Sequence, residues 1–298
     1  MSDFILTSGC DNLRIGFIGA GKVGTALGMY FKSKGYELTG YYSRSLASAA
    51  NAAAVTGTRY FLKDFELIAN VDILFITTND EQIKPVIDNI AARGILREGQ
   101  IIVHTSGAAA SDILKKAKTS GCFTYSMHPL QSFADAAKAL EALPQTVFSI
   151  EGDPEKIGII EEILKKTGNS FFRIKAEDKA LYHAAACIFS NYLVTLMDQG
   201  LSYLESIGIN SEEGFKAMLP LINGTIENIR MLGTGAALTG PVSRGDVNTI
   251  VNHMETINRE LPDRLEFYRM MAVRTLELAK REKLKNSDKI HQLEILLK

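Results

Sequence analysis

Cysteine is scarce. Cys10, Cys122 and Cys187 are the only three in 298 residues, widely separated, with no CxxC pair and no Cys/His spacing of a structural zinc site. That excludes a disulfide framework and agrees with a reduced, cytoplasmic setting. Neither sign of charge is in excess, with 33 Lys and Arg against 34 acidic residues, so there is no electrostatic case for nucleic acid or an anionic membrane as partner. A basic segment leading into an apolar core is missing near the N-terminus, so no signal peptide is expected, and Cys10 after Thr7, Ser8 and Gly9 is not read as a lipidation site. The longest apolar stretch, around Ala184 to Met197, is interrupted by Ser190, Asn191 and Thr195; it is too short for a bilayer and reads as a buried helix. The five histidines form no HExxH-type motif, which argues against a zinc-dependent dehydrogenase. Repeats and low-complexity tracts are lacking as well. What remains has the length of two ordinary domains.

The first half alternates apolar runs with helix-patterned segments, the signature of an α/β domain whose parallel sheet is covered on both faces. Strands are expected at Arg14 to Ile18, Glu37 to Tyr42, Ile73 to Thr77, Ile101 to His104, Cys122 to Met127, Thr146 to Ile150 and Phe171 to Ile174. After about Lys175 the strand signals stop and apolar residues recur at helical spacing. The helices expected there are Asp178 to Ile207, Ser211 to Leu232, Arg244 to Arg259 and Pro262 to Lys283. The pattern divides the chain into a doubly wound sheet domain over 1–175 and an all-helical domain over 176–298.

The stretch LRIGFIGAGKVG sets Gly19, Gly21 and Gly24 between a buried strand and a helix. In a dinucleotide-binding turn the first glycine makes the bend, the second lets backbone approach the pyrophosphate, and the third lets helix pack on strand. Ala20, Lys22 and Val23 complete the turn and the helix N-terminus that faces the anion. An NAD site usually carries Asp or Glu about 20 residues on; here the chain reads Ser43-Arg44-Ser45. Arg44 suits a 2′-phosphate, with two flanking hydroxyls to help, so NADPH is the expected cofactor.

Polar clusters fall at further strand ends, where ligands of open α/β sheets lie. Thr77, Thr78 and Asn79 are expected along the cofactor's ribose and nicotinamide; Ser106 and His128 are expected to face the substrate. The helical domain opens with KALYHAAACIFSN, in which Lys179, His183, Cys187 and Asn191 recur every four residues on one face. Lys179 or His183 is the candidate proton donor, with Asn191 fixing a carbonyl or carboxylate. In LTGPVSRGD, Arg244 is the candidate carboxylate ligand and Asp246 its orienting partner.

With these residues in view, the chain resembles the NADP-dependent Rossmann-like oxidoreductases that carry a helical C-terminal domain of unknown function. GFIGAGKVG, HTSG, YHAAA…SN and LTGPVSRGD carry the likeness, which runs nearly the full length. This group looks like part of the larger set of pyrroline-5-carboxylate reductases, 6-phosphogluconate dehydrogenases and ketopantoate reductases. The resemblance implies a homodimer through the helical domain and makes ketopantoate the specific substrate guess. In the ketopantoate reductases a catalytic Lys is followed one turn later by Asn; Lys179 matches the Lys, but His183 stands where the Asn would be. The expected activity is therefore NADPH-dependent reduction of a small 2-oxo acid. The alternatives are a cyclic imine reductase of the pyrroline-5-carboxylate type, and a non-catalytic NADPH sensor that signals through its helical domain. A deazaflavin is disfavoured by Arg44.

Overall fold

The computed structural model describes residues 13–298; Cys10 lies outside the described residues. Two compact units divide after Ser190, the second running from Asn191 to Lys298, so the division comes later than the change of pattern at Lys175.

The first unit is built on eight strands: β1 (Arg14–Ile18), β2 (Glu37–Tyr42), β3 (Arg59–Tyr60), β4 (Ile73–Ile76), β5 (Ile101–His104), β6 (Phe123–Pro129), β7 (Phe148–Gly152) and β8 (Phe171–Arg173). They lie in the order β3-β2-β1-β4-β5-β6-β7-β8. Its helices are α1 (Lys22–Ser33), α2 (Leu46–Thr56), α3 (Asp64–Ile68), α4 (Asp80–Ala92), α5 (Lys115–Lys118), α6 (Ala136–Ala142), α7 (Ile157–Thr167) and α8 (Lys179–Phe189). Helices on both faces leave the central strands no wet side, so they read as continuous apolar runs. Phe17, Phe75 and Val103 point into one core with Leu27, Tyr30 and Phe31 of α1. Leu74, Ile76 and Ile102 point into the other with Ile83, Ile87 and Ile90 of α4. In the first core Phe17 stacks on Phe75 and Tyr41 with centroids 5.2 and 5.3 Å away. Chain punctuation is local: Ser45 caps α2 by accepting from the Ser48 N–H, and Gly57, at φ +58°, ends it.

Three features depart from the sequence pattern. β3, only two residues long, is too short to show a period. β7 runs antiparallel to β6, with Phe148 opposite Pro129, and then pairs in parallel with β8. A parallel crossover returns the chain to the far end of the sheet; here α6 packs on α1 and the chain re-enters beside the end where β6 stopped. Finally, the apolar stretch after Ala184 is not a buried helix. It breaks at Ser190, and Phe189 and Val194 are 81% and 70% exposed. By length and composition alone the helical stretch Ala176–Ser206 does reach what a membrane crossing needs.

The second unit is all helical: α9 (Asn191–Ser206), α10 (Ser211–Ala237), α11 (Pro241–Arg244), α12 (Val247–Glu260), α13 (Leu265–Glu282) and α14 (Ser287–Leu296). α10 outruns its expected end at Leu232 because Gly233, at φ +77°, kinks it without stopping it. The expected start at Arg244 is moved: Arg244 ends α11, Gly245 turns the chain at φ +66°, and Asp246 caps α12. α14 follows the charged segment that reads as a solvated helix end. The core of the unit is Val242, Ile250, Met254, Leu276, Ala279 and Leu293 with their neighbours.

Candidate active site

Register puts the site on one row. Ile18 of β1 is level with Ile76 of β4, Ile76 with His104 of β5, and His104 with Ser126 of β6, all in parallel. The glycine turn, Thr77, Ser106 and His128 follow this row, so they emerge at the same carboxyl edge. With neighbouring strands about 4.8 Å apart, the edge from β1 to β6 spans about 14 Å.

At the β1 end the three glycines meet three different demands. Gly19 sits at φ +106°, and a Cβ on it would lie 2.7 Å from the Thr77 carbonyl carbon. A Cβ on Gly21 would meet nothing within 4 Å, so the backbone there is bare toward the crevice. One on Gly24 would lie 2.4 Å from Thr77 Oγ1, because α1 packs directly against the end of β4. Thr77 Oγ1 in turn donates to the Gly19 carbonyl at 2.8 Å. No side chain caps α1 and no acidic residue stands in its first turn, leaving its N–H groups and positive end to an anion.

The turn opens into a crevice of about 410 Å³ lined by Gly19, Ala20, Gly21, Ser43, Arg44, Thr77, Thr78 and Asn79 among the expected residues. Lys22, Val23, Gly24 and Ser45 are not on its wall: the first three belong to α1, and the Ser45 hydroxyl is occupied in capping α2. Ser48, Gln82 and Asn89 are wall residues that pattern reading missed. The 3.6-residue period was the available signal, since it sets Gln82, Val86 and Asn89 on one face of α4. Two groups on the wall await a partner. Arg44 is exposed and has no ion pair or hydrogen bond among the described residues, and Thr78 Oγ1 is buried without one. A bare backbone turn, a free helix end, an unpaired guanidinium and an orphaned hydroxyl fit a phosphorylated dinucleotide.

At the β5 end the residues face inward. His104 is 0% exposed; its Nδ1 accepts from the Ser106 N–H at 3.2 Å and its Nε2–H donates to the Ala110 carbonyl at 3.2 Å. Burial, with the charge of Lys179 adding to it, pulls its pKa to about 4, so it is a neutral ring of defined tautomer. Ser106 does not face a substrate as expected. It is 4% exposed, its Oγ donates to Asp80 at 2.6 Å and accepts from the Ala108 and Ala109 N–H groups, and its hydrogen-bonding capacity is spent. Ser111 bonds the buried Glu151 carboxylate through both its N–H and its hydroxyl, each at 2.7 Å. Lys179 closes the set: Nζ donates to Ser126 Oγ at 2.7 Å and to the Ser106 carbonyl at 3.0 Å, and the residue is 1% exposed. With its ammonium turned into the protein, Lys179 is placed to anchor the loop after β5, not to hand a proton to a ligand. The expectation that it is the proton donor is corrected on that ground.

His128 and His183 are brought together. Their rings lie edge to face with centroids 6.3 Å apart, and the position of a Cβ on Gly107 would be 2.8 Å from His128 Nε2 and 2.6 Å from His183 Nδ1. His183 Nδ1 is buried without a partner, while its Nε2 lies 3.6 Å from Cys187 Sγ one turn on. His128 Nδ1 is 2.7 Å from the hydroxyl of Tyr182, a residue that sequence reading passed over. Burial first, then the charge of Lys179 and the two neighbouring histidines, pull His128 down to about 3, so it too is neutral at physiological pH.

The remaining candidates belong to the second unit. Asn191 begins α9 and is exposed. Arg244 is exposed at the end of α11, without an ion pair among the described residues, so the expected Arg244–Asp246 pair is not formed. Asp246 instead serves its own helix, accepting from the Thr249 N–H at 3.2 Å and hydroxyl at 2.8 Å, which holds its carboxyl below the usual range. That is the ordinary work of an N-cap. Among the described residues no cluster of His, Cys, Asp and Glu has the makings of a metal site.

Residues 7–129 match the family model of a Rossmann-like domain, and residues 146–275 that of a domain of unknown function, DUF2520. Among solved structures, protein TM1727 from Thermotoga maritima is 30% identical with a TM-score of 0.69, over 90% of this chain and 98% of that one. BF3122 from Bacteroides fragilis is 22% identical with a TM-score of 0.74, over 90% and 99% of the two chains. An imine reductase from a Pseudomonas species is 17% identical with a TM-score of 0.63, over 90% and 98%. No curated protein is significantly similar to the chain.

Proposed function

The chain belongs to the family that joins a Rossmann-like domain to the domain of unknown function DUF2520, and we propose that it is an NADPH-dependent reductase of a small carbonyl or imine compound. The observation that carries this reading is the unpaired Arg44, with Ser43 and Ser48 beside it, on the wall of the crevice that the bare glycine turn opens into. The glycine turn and the end of α1 would hold the pyrophosphate, Arg44 and the serines the 2′-phosphate, and Thr78 and Asn79 a ribose. Bound there, the reduced nicotinamide supplies the hydride. Neighbours of the same fold support the cofactor: a pyrroline carboxylate reductase from Plasmodium falciparum with NADP bound and a reductive aminase from Aspergillus terreus with NADPH, each 14% identical.

For the substrate, ketopantoate, a 2-oxo acid, is one specific candidate. A cyclic imine of the pyrroline-5-carboxylate kind is favoured equally by the activities named for the structural neighbours. NADPH oxidation is measured against ketopantoate, other 2-oxo acids and pyrroline-5-carboxylate. Selective turnover of one class assigns the substrate, and tight NADPH binding without turnover points to the sensor. Arg44→Ala is expected to raise the KM for NADPH about 10- to 100-fold, the worth of a charged hydrogen bond or two, and to leave that for NADH within twofold. Equal loss with both cofactors removes Arg44 from the 2′-phosphate.

We also propose a homodimer. α9 and α10 leave Val194, Leu221, Met231 and Leu232 at least 59% exposed, and large apolar side chains in water are what an oligomer contact covers. Light scattering on a sizing column is expected to give twice the 32.7 kDa chain mass. A monomer that sediments with lipid vesicles assigns the face to a membrane instead.

A further inference from the structure

Tyr182 has no part in the roles assigned so far, yet its hydroxyl makes the one hydrogen bond that decides the state of His128. A neutral imidazole carries one N–H, and the ring can hold it on either nitrogen. At 2.7 Å from Tyr182, Nδ1 either donates to the phenol oxygen or accepts its proton. The surroundings choose. Ser149, opposite His128 across the β6–β7 pair, is the other polar side chain near the phenol. Its Oγ is buried without a close partner and acts on the phenol as a donor, which pulls the phenol's pKa down against burial and leaves the phenol's own proton to be placed elsewhere. Among the described residues the phenol proton therefore has a single acceptor, Nδ1, and the ring keeps its own proton on Nε2. Nε2 makes no hydrogen bond among the described residues and borders Gly107 of the loop after β5, on the edge where the carboxyl ends of β1, β4, β5 and β6 are in register. A side chain at position 107 would run into Nε2, so the glycine is what lets the loop lie beside the ring without displacing it.

We propose that Tyr182 is a positioning residue that holds His128 as the Nε2–H tautomer, and that His128 gives this proton to the substrate oxygen as a carbonyl is reduced. The inference rests on the reductase reading for its substrate, but not for the tautomer. The balance is simple. The electron pair left on the oxygen by reduction of its carbon takes the Nε2 proton, so an O–H bond forms as the N–H bond breaks. The Nδ1 lone pair takes the phenol proton at the same time, and the pair is reset when Nε2 regains a proton from solvent and Nδ1 returns its own to the phenolate. His128 never has to become an imidazolium, which matches a site whose burial and neighbouring charge disfavour that cation. Burial also raises the phenol's pKa. A phenol is an intrinsically stronger acid than an aliphatic alcohol, so the relay moves the proton toward the weaker acid. Lys179 takes no part in the transfer, since Nζ is held by Ser126 and Ser106.

The test reads the tautomer directly. In the full chain carrying 15N-labelled histidine, long-range proton–nitrogen spectra distinguish Nε2–H from Nδ1–H rings, and His128→Gln identifies the His128 signals. The wild type is expected to show His128 as Nε2–H at pH 7, and Tyr182→Phe to convert it to a mixture. Tyr182→Phe is further expected to lower kcat for the best carbonyl substrate at least tenfold, with NADPH affinity by fluorescence titration unchanged. An Nδ1–H ring in the wild type, or the same Nε2–H ring in Tyr182→Phe, overturns the proposal. An Nε2–H ring that responds to Tyr182→Phe in a chain that turns over no carbonyl supports the positioning and overturns the reductase reading instead.

Discussion

Gly19→Ala is expected to lose NADPH binding by about 100-fold or more, and to lower the thermal midpoint along with it. Two independent costs meet at this position. Its φ of +106° is open to glycine and strained for any L side chain, which costs about 1–3 kcal/mol. In addition the new methyl would lie 2.7 to 2.9 Å from the carbonyl carbon and oxygen of Thr77 and the nitrogen of Thr78. These are backbone atoms at the end of β4, so relief requires the β1 and β4 ends to part, and that spreads the floor of the dinucleotide crevice. Gly21→Ala is the control. It meets nothing within 4 Å, so it is expected to keep the wild-type midpoint while weakening NADPH, because the methyl sits where the pyrophosphate needs bare backbone. Fluorescence titration and calorimetry on the two variants separate the effects. A Gly19→Ala protein with wild-type affinity and midpoint shows that the turn is not what holds the cofactor.

Lys179→Met is expected to change the pH dependence of stability in a defined direction. Burial moves Lys179 from its ordinary 10.5 down to about 8, against the opposing charges of Glu151 and Asp80. In the unfolded chain the amine holds its proton up to about 10.5, and in the folded protein it releases it near 8. Between those values the unfolded chain binds more protons, so this group makes the protein more stable as pH rises through the window; below about 8 the full cost of burying the ammonium is present. Methionine is similar in length and carries no proton, so the variant lacks the rise. From pH 7.5 to 10.5 the unfolding free energy of the wild type is expected to gain on that of the variant by up to about 3 kcal/mol, at about 1.4 kcal/mol per unit of pKa displacement. Urea midpoints across this range measure it. A constant difference shows that Lys179 titrates normally, which its placement against Ser126 and the Ser106 carbonyl does not allow.

These two positions also show how unevenly the sequence reveals the site. The glycine turn was legible because its demands are local: a strand, a bend, a close approach and a helix start fall within a dozen residues, and each leaves a glycine behind. The strands were legible for a related reason, since sheets covered on both faces leave continuous apolar runs such as ILFI and IIVH. Lys179 was noticed for its spacing and given the wrong task. Its periodicity with His183 and Asn191 says that they share a helix face, but not whether that face looks onto a crevice or into a loop. Ser106 was misread in the same way, as nothing in HTSG announces that Asp80, Ala108 and Ala109 would exhaust its hydroxyl.

By itself, then, the sequence determined where the chain changes from a covered sheet to apolar helices, which strands carry polar ends, and that the β1 turn can seat a phosphate, because each of these is written in residues adjacent along the chain. Only the tertiary structure decided that β7 runs backwards beside β6, that Lys179 and Ser106 spend their polar groups on the loop after β5, and that Tyr182 faces His128. Apart from the bonds of Ser106 to Ala108 and Ala109, those outcomes join residues about 20 to 75 positions apart, and a hydrogen bond of 2.6 to 3.0 Å between them is a fact about folded geometry that no spacing along the chain encodes.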